Sequence, residues 1–286
     1  MKKKLLHQGK QSIAATMRRS LKSLGSIPAY LDWYWQKNQH ESIYFYTFHK
    51  CASTLFSNYL LKQIRGLRHI DYANQIYLGK QKQAQDFIFA KTGYIYGPIR
   101  LSADPRDDVY RFLVAPTSQL GFIADKRAIF FIRDPRDILV SSYYSVAYTH
   151  GYSPVAEIQD RQAKIRTQVQ QMTLDEYALR EVVTVKQHFL TLWELSQVCQ
   201  RGVVLKYEDM IENFNWFAAQ LTKYVAVEDK VLREMFARSR PKLSEDTTSH
   251  RRSGLPGGFR QKLQPATIQA VNQQLAEILT KFTYLN

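Results

Sequence analysis

Apolar residues fall along the chain in two distinct rhythms. Short continuous runs read as buried strands: Ile43-Tyr44-Phe45-Tyr46-Thr47, Phe87-Ile88-Phe89-Ala90, Ala128-Ile129-Phe130-Phe131-Ile132 and Val203-Val204-Leu205. Between and after them the spacing changes to three and four. It predicts helices over 53–64, 138–146, 176–199, 213–224, 231–237 and 266–280. Strands that are apolar throughout and alternate with helices imply a single α/β domain, with a central parallel sheet flanked by helices on both faces. No internal repeat and no linker divides the pattern, so residues 41–286 read as one domain. Such sheets bind ligands at the carboxyl ends of their strands, so chemistry is expected just after each strand.

Composition narrows the class. The 286 residues are 45% hydrophobic and 13% aromatic, which excludes wholesale disorder. Mean hydropathy is −0.38, and no apolar stretch approaches the roughly 20 residues of a membrane span. Two cysteines exclude a disulfide framework and a multi-cysteine zinc module. The net charge of +15 calls for an anionic partner: nucleic acid, a membrane surface or a small polyanion.

The charge is unevenly placed. Residues 1–40 carry eight Lys and Arg against Asp32 alone. Leu5-Leu6 is followed at once by His7-Gln8-Gly9-Lys10, which leaves no apolar signal-peptide core, and the protein reads as unexported and cytoplasmic. Ile13, Met17 and Leu21, then Trp33-Tyr34-Trp35, give this basic helix or tail a narrow apolar side. That makes it a candidate contact for an anionic membrane surface, or else a helix docked on the domain. A second basic concentration, Arg240 to Lys262, is rich in Gly and Pro and reads as a mobile loop.

Two strand ends carry anion chemistry. After the first strand stands His49-Lys50-Cys51-Ala52-Ser53-Thr54-Leu55, a lysine, small residues and a hydroxyl pair at a helix start. Loop N–H groups, the Lys50 ammonium and the Ser53 and Thr54 hydroxyls converge there, although an ordinary N-cap gives the same pattern. Both Walker A glycines are missing. Cys51 lacks a nucleophile's partner pattern and reads as a small residue in a tight turn. After the third strand comes Arg133-Asp134-Pro135-Arg136-Asp137, with Pro135 suited to start a helix and Ser141 eight residues beyond Arg133. Arg133 offers a bidentate fork for phosphate, and the structural alternative is a surface Arg–Asp network with Asp134 or Asp137. Two such sites suit a nucleoside carrying phosphates at both ends.

These residues resemble the sulfotransferase family. Lys50–Leu55 is similar to its 5′-phosphosulfate loop, usually Lys-Ser-Gly-Thr-Thr-Trp, and Arg133 through Ser141 to its 3′-phosphate motif. Val204-Leu205-Lys206-Tyr207-Glu208-Asp209 resembles its strand-end Tyr-Glu-Asp run. Arg252-Ser253-Gly254-Leu255-Pro256-Gly257-Gly258-Phe259 resembles its closing C-terminal loop, and His188–Ser196 the helix before the last strand. The motifs stand in family order over about residues 43–263. The resemblance implies a P-loop-like three-layer fold and 3′-phosphoadenosine 5′-phosphosulfate (PAPS) as cosubstrate. The bisphosphate PAP would be the product, and no metal is needed. It implies that Lys50, Cys51, Ala52, Ser53, Thr54 and Leu55 hold the phosphosulfate. Arg133, Ser141, Arg251, Arg252, Ser253 and Gly254 hold the 3′-phosphate end, and Tyr207 lies near the adenine. Lys50, Asp71 and Ser141 are the expected catalytic set.

Several positions depart from the family pattern. Leu55 replaces a tryptophan, and Ser253 and Gly258-Phe259 replace Lys and Asp-Trp. The segment Ala90-Lys91-Thr92-Gly93-Tyr94 corresponds to a Lys-Thr-His-Leu-Pro run, with Gly93 in place of its catalytic histidine. The expected base is therefore Asp71, the carboxylate that follows the first helix, ahead of His69, His49 and His250; otherwise Asp71 is a loop carboxylate bridged to Arg68. His150 and His188 read as surface or packing histidines. The acceptor, a small-molecule, carbohydrate or lipid hydroxyl or an amine, is expected to be lined by residues 112–122, 143–152 and 159–171. A P-loop kinase and a non-enzymatic RNA- or membrane-binding protein are the alternatives. The kinase would need the missing glycines, and nucleic-acid binding leaves the ordered motifs unexplained.

Overall fold

A computed structural model of the chain describes residues 31, 33–80, 89–100, 120–241 and 254–284. Five strands form one parallel sheet in the order β2-β3-β1-β4-β5. They are β1 (Ile43–Thr47), β2 (Arg68–Ile70), β3 (Tyr94–Ile99), β4 (Arg127–Ile132) and β5 (Arg201–Lys206). The central strand β1 is buried along its whole length, which is why its sequence runs apolar without alternation.

Side chains of β1 point alternately to two helical layers. On one face Phe45 stacks on Phe56 of α1 (Ser53–Asn58) at 4.7 Å, and Phe131 of β4 meets Phe217 of α8 (Phe214–Thr222) at 6.0 Å. On the other, Tyr44 meets Phe122 of α3 (Leu120–Ile123) at 5.2 Å, and just beyond the strand Phe48 stacks on Phe189 of α6 (Leu174–Val198) at 4.6 Å. Helices α4 (Pro135–Tyr144) and α10 (Pro265–Lys281) pack on α6, while α7 (Tyr207–Glu212) and α9 (Asp229–Ser239) complete the first layer. This is the three-layer α/β domain expected from the strand and helix pattern.

Local sequence sets the helix boundaries. Thr173 and Glu176 form a reciprocal capping box at the start of α6. Its buried Val182, Val185, Phe189, Leu192 and Leu195 repeat at three and four. Asp134 caps α4, with Pro135 in its first turn. The helix predicted from Ser53 breaks at Tyr59, and Leu60–Lys62 is a 3-10 turn. After Tyr144, α4 widens into one π turn, Ser145–Thr149. The Gln-rich stretch expected to line the acceptor is largely a helix, α5 (Ala156–Gln170).

One predicted strand is not found among the described residues. Of Phe87–Ala90, residues 87 and 88 lie outside the described residues, and Phe89-Ala90 is irregular. Phe89 is apolar because it packs into an aromatic cluster with Tyr44, Tyr72 and Tyr96. The strand beside β1 is instead β3, in which the Gly97–Pro98 peptide is cis and the register shifts between Tyr44 and Tyr46 of β1. Gly97 has φ +143, and a Cβ there would lie 2.4 Å from the Phe45 carbonyl oxygen. None of the described helices is long and apolar enough to cross a membrane.

The end of the basic N-terminal segment docks at the amino edge of the sheet. Trp33 donates from Nε1 to the Gly93 carbonyl at 2.6 Å and packs edge-on against Tyr94 at 5.3 Å. Residues 1–30 lie outside the described residues.

Candidate functional site

The loop between β1 and α1 leaves the central strand with two non-glycine residues in left-handed conformation, Lys50 (φ 67) and Ala52 (φ 52). A turn of this kind directs successive backbone N–H groups to one side, forming an anion nest. The left-handed positions carry strain that the surrounding structure must impose. Cys51 is fully buried, donates weakly to the His49 carbonyl at 3.8 Å, and burial pushes its thiol up to about 12. It is a packed turn residue and not a nucleophile. Ser53 is buried, Thr54 is exposed, and Leu55 is half-buried against the core.

Arg133, at the carboxyl end of β4, reaches across to this loop. Its Nη1 donates to the Lys50 carbonyl at 3.1 Å, and its guanidinium lies 4.4 Å over the Tyr207 ring. Tyr207 in turn donates to the Gly254 carbonyl at 2.5 Å. Lys50, Arg133, Tyr207 and Gly254 therefore meet, although they come from four separate parts of the chain. Ser141 is half-buried on α4, whereas Arg251, Arg252, Ser253 and His250 lie outside the described residues.

The Arg–Asp pairs expected at the surface are buried. Arg133 is 8% exposed and sits 3.6 Å from Asp137, itself 2% exposed. Asp137 also accepts from the N–H groups of Gly257 (2.8 Å) and Phe259 (3.0 Å), tying the C-terminal loop to Arg133. Burial pushes the Asp137 carboxyl up, and the Arg133 charge opposes that shift. Arg136 pairs with Asp134 at 2.7 Å and donates to the Tyr284 carbonyl at 2.9 Å. Glu208 accepts from the Asp134 N–H (2.9 Å) and the Tyr284 hydroxyl (3.0 Å), and burial pushes its carboxyl to about 7.

Asp71 lies just beyond β2, on the same carboxyl edge of the sheet. It caps α2 (Tyr72–Tyr77) by accepting from the Asn74 N–H at 2.9 Å. Burial raises its pKa, opposed by that bond and by the charges of Arg100, His69 and Lys62. Arg68 does not bridge to it in the way the structural alternative required, but lies 5.4 Å over the Trp33 ring. His69 is 2.6 Å from the Gly97 carbonyl through Nε2. His49 and His150 are exposed. His188 is half-buried against Phe48 and pushed down to about 4, a neutral packing ring.

The correspondence drawn for Gly93 is corrected by the topology. Gly93 precedes β3, bonds to His40 and receives Trp33, so it lies on the opposite edge of the sheet from Lys50. The segment that ends beside the Lys50 loop is Gly97-Pro98-Ile99-Arg100. Arg100 was missed, although it directly follows a strand. Its Nη2 donates to the Ser53 hydroxyl at 3.1 Å.

Beside the Lys50 loop, two buried guanidinium donors, Arg133 Nε and Arg100 Nε, lack a hydrogen-bond partner among the described residues. Such donors are costly unless a ligand satisfies them. Both flank the Lys50 loop, so the arrangement fits an anion with several oxygens.

Comparison with known proteins agrees with this geometry. The sulfotransferase domain family matches residues 47–283. Mouse sulfotransferase SULT7A1, solved in complex with PAP, is similar in fold, with TM-score 0.53 and 12% identity over 84% of each chain. Retinol dehydratase, solved with androsterone and the inactive cofactor PAP, aligns with TM-score 0.49 and 12% identity over 83% of this chain and 80% of that one. No curated protein sequence matches the chain. With a sulfotransferase domain spanning most of its length, and the Lys50 loop placed at the centre of the sheet, this chain belongs to the sulfotransferase family and transfers a sulfuryl group.

Proposed function

We propose that the chain transfers the sulfuryl group of PAPS to a hydroxyl of a small-molecule, carbohydrate or lipid acceptor. The observation that carries this reading is the junction of two cationic strand ends, where Arg133 of β4 binds the carbonyl of Lys50 after β1. The PAP carried by the similarly folded mouse sulfotransferase SULT7A1 supports the same donor. In this reading Lys50, the nest N–H groups, Ser53 and Thr54 receive the 5′-phosphosulfate. Arg133, Ser141, Gly254 and the C-terminal loop residues Arg251, Arg252 and Ser253 receive the 3′-phosphate. Tyr207 fixes the ring plane beneath Arg133.

Sulfuryl transfer is an in-line displacement, so positioning and charge stabilisation supply most of the rate. The acceptor oxygen bonds to sulfur while the bond from sulfur to the bridging oxygen breaks, and its electron pair leaves with PAP. Lys50 neutralises the charge that grows on that leaving oxygen. Asp71 accepts the acceptor's proton. Its raised pKa keeps it a usable base, and ionisation is favoured by Arg100, His69 and Lys62. Separately, Leu31, Tyr34 and Trp35 are exposed, Trp35 by 77%. Beside the basic first 30 residues, they support contact with an anionic membrane surface.

The test is turnover of PAPS by Lys50→Ala. Because the ammonium acts mainly on charge that develops during reaction, turnover should fall about 100-fold or more while PAP still binds. Near-normal turnover would remove Lys50 from this role.

A further inference from the structure

We propose that Arg100 is a second catalytic cation, one that grips the transferred sulfuryl group itself. The assignment rests on the PAPS reading above. Nothing in the ordered motifs points to this residue. It becomes visible only because β3, and not the segment around Phe89, is the strand beside β1.

Three features distinguish Arg100 from an ordinary surface arginine. It stands directly after Ile99, the last residue of β3, so the sheet delivers it to the same edge as Lys50 and Asp71. One arm of the guanidinium is fixed, with Nη2 donating to the Ser53 hydroxyl at 3.1 Å. Its Nε is buried and has no partner among the described residues. A planar fork with one arm tied down and a dry, unsatisfied donor is suited to tetrahedral oxyanions. Arg100 also lies close enough to Asp71 for its charge to favour the carboxylate. This places it between the phosphosulfate loop and the proposed base, where the sulfuryl group must pass. Lys50 then faces the oxygen that leaves, and Arg100 the sulfuryl oxygens that move to the acceptor. The residue carries no bond-making step; it holds charge on oxygens that are present before, during and after transfer.

The distinction is measurable because PAPS carries the sulfuryl group and PAP does not. Calorimetry should compare the two ligands, in the cold, on the full-length chain and on Arg100→Met. Losing a charge-assisted contact to the sulfuryl oxygens should weaken PAPS about tenfold or more while PAP changes less than about threefold. Equal losses for both ligands, or no loss for either, would overturn the assignment, since a merely structural arginine does not distinguish them. If the Met variant fails to fold, Arg100→Lys serves on the same pair. It keeps the charge and loses the fork, so a selective loss for PAPS supports the proposal and a uniform one overturns it. A wild-type chain that binds neither ligand overturns the PAPS reading and this assignment with it.

Discussion

Asp137→Asn isolates the clasp that joins the Arg133 site to the C-terminal loop. Three contacts converge on this buried carboxylate: the Gly257 N–H, the Phe259 N–H and the Arg133 guanidinium. Asparagine has nearly the same shape but only one accepting oxygen. One of the two N–H groups then faces an amide NH₂, and Arg133 loses its counter-charge. A hydrogen bond to a charged group contributes about 1.5–3 kcal/mol, and breaking one side of a buried pair costs about 3–5 kcal/mol. Part of this is offset, because burial already disfavours the ionised carboxylate and has pushed its pKa up. The net loss should be about 2–4 kcal/mol, or a fall of roughly 5–10 °C in Tm for a chain of this size. Thermal unfolding followed by circular dichroism measures it. PAP affinity should fall about tenfold in the same variant, because both the arginine and the loop beside Gly254 lose their anchor. An unchanged Tm together with an unchanged Kd would refute the clasp.

Other perturbations probe separate parts of the account. Ala52→Gly relieves a left-handed alanine, worth about 1–2 kcal/mol, against about 0.5–1 kcal/mol of added chain entropy. Urea unfolding should therefore show a gain of up to about 1 kcal/mol, and a clear loss would contradict the strain at this position. Glu208 titrates near 7 in the fold against its usual 4.5. A folded pKa above the unfolded one means its stabilising contribution is full below about pH 4.5 and is lost as pH rises through about 7. Glu208→Gln should flatten the decline in Tm across that window, and an unaltered slope would count against a half-buried, protonated Glu208. Asp71→Asn should cut turnover about 100-fold or more and remove the acidic limb of the pH–rate profile, which in the wild type falls as Asp71 gains a proton. Full activity with an unshifted profile would exclude it as the base.

The candidate site was more legible than the sheet that carries it. Lys50 and Arg133 stand out because each follows a strand of unbroken apolar residues, and central parallel strands are apolar throughout. The strands β2 and β3 lack that signature. Arg68-His69-Ile70 is a short polar edge, and Gly97-Pro98 interrupts β3 with the two residues that ordinarily argue against a strand. Missing β3 moved the expected catalytic segment to Gly93, at the wrong end of that strand, and hid Arg100. Phe89 misled in the other direction: its apolar character serves aromatic packing and no hydrogen-bonded ladder. The Asp137 clasp and the Tyr284–Glu208 contact join residues 76 or more positions apart, and no local pattern announces them.

The central claim is that one nucleotide is held at both ends, by the Lys50 loop and by Arg133. Calorimetric titration of adenosine 3′,5′-bisphosphate against adenosine 5′-monophosphate, on the wild type and on Arg133→Ala, tests it directly. The wild type should bind the bisphosphate about tenfold or more tightly than the monophosphate, and Arg133→Ala should erase most of that difference. Equal binding of the two nucleotides by the wild type, or a preference that survives in Arg133→Ala, would contradict the account.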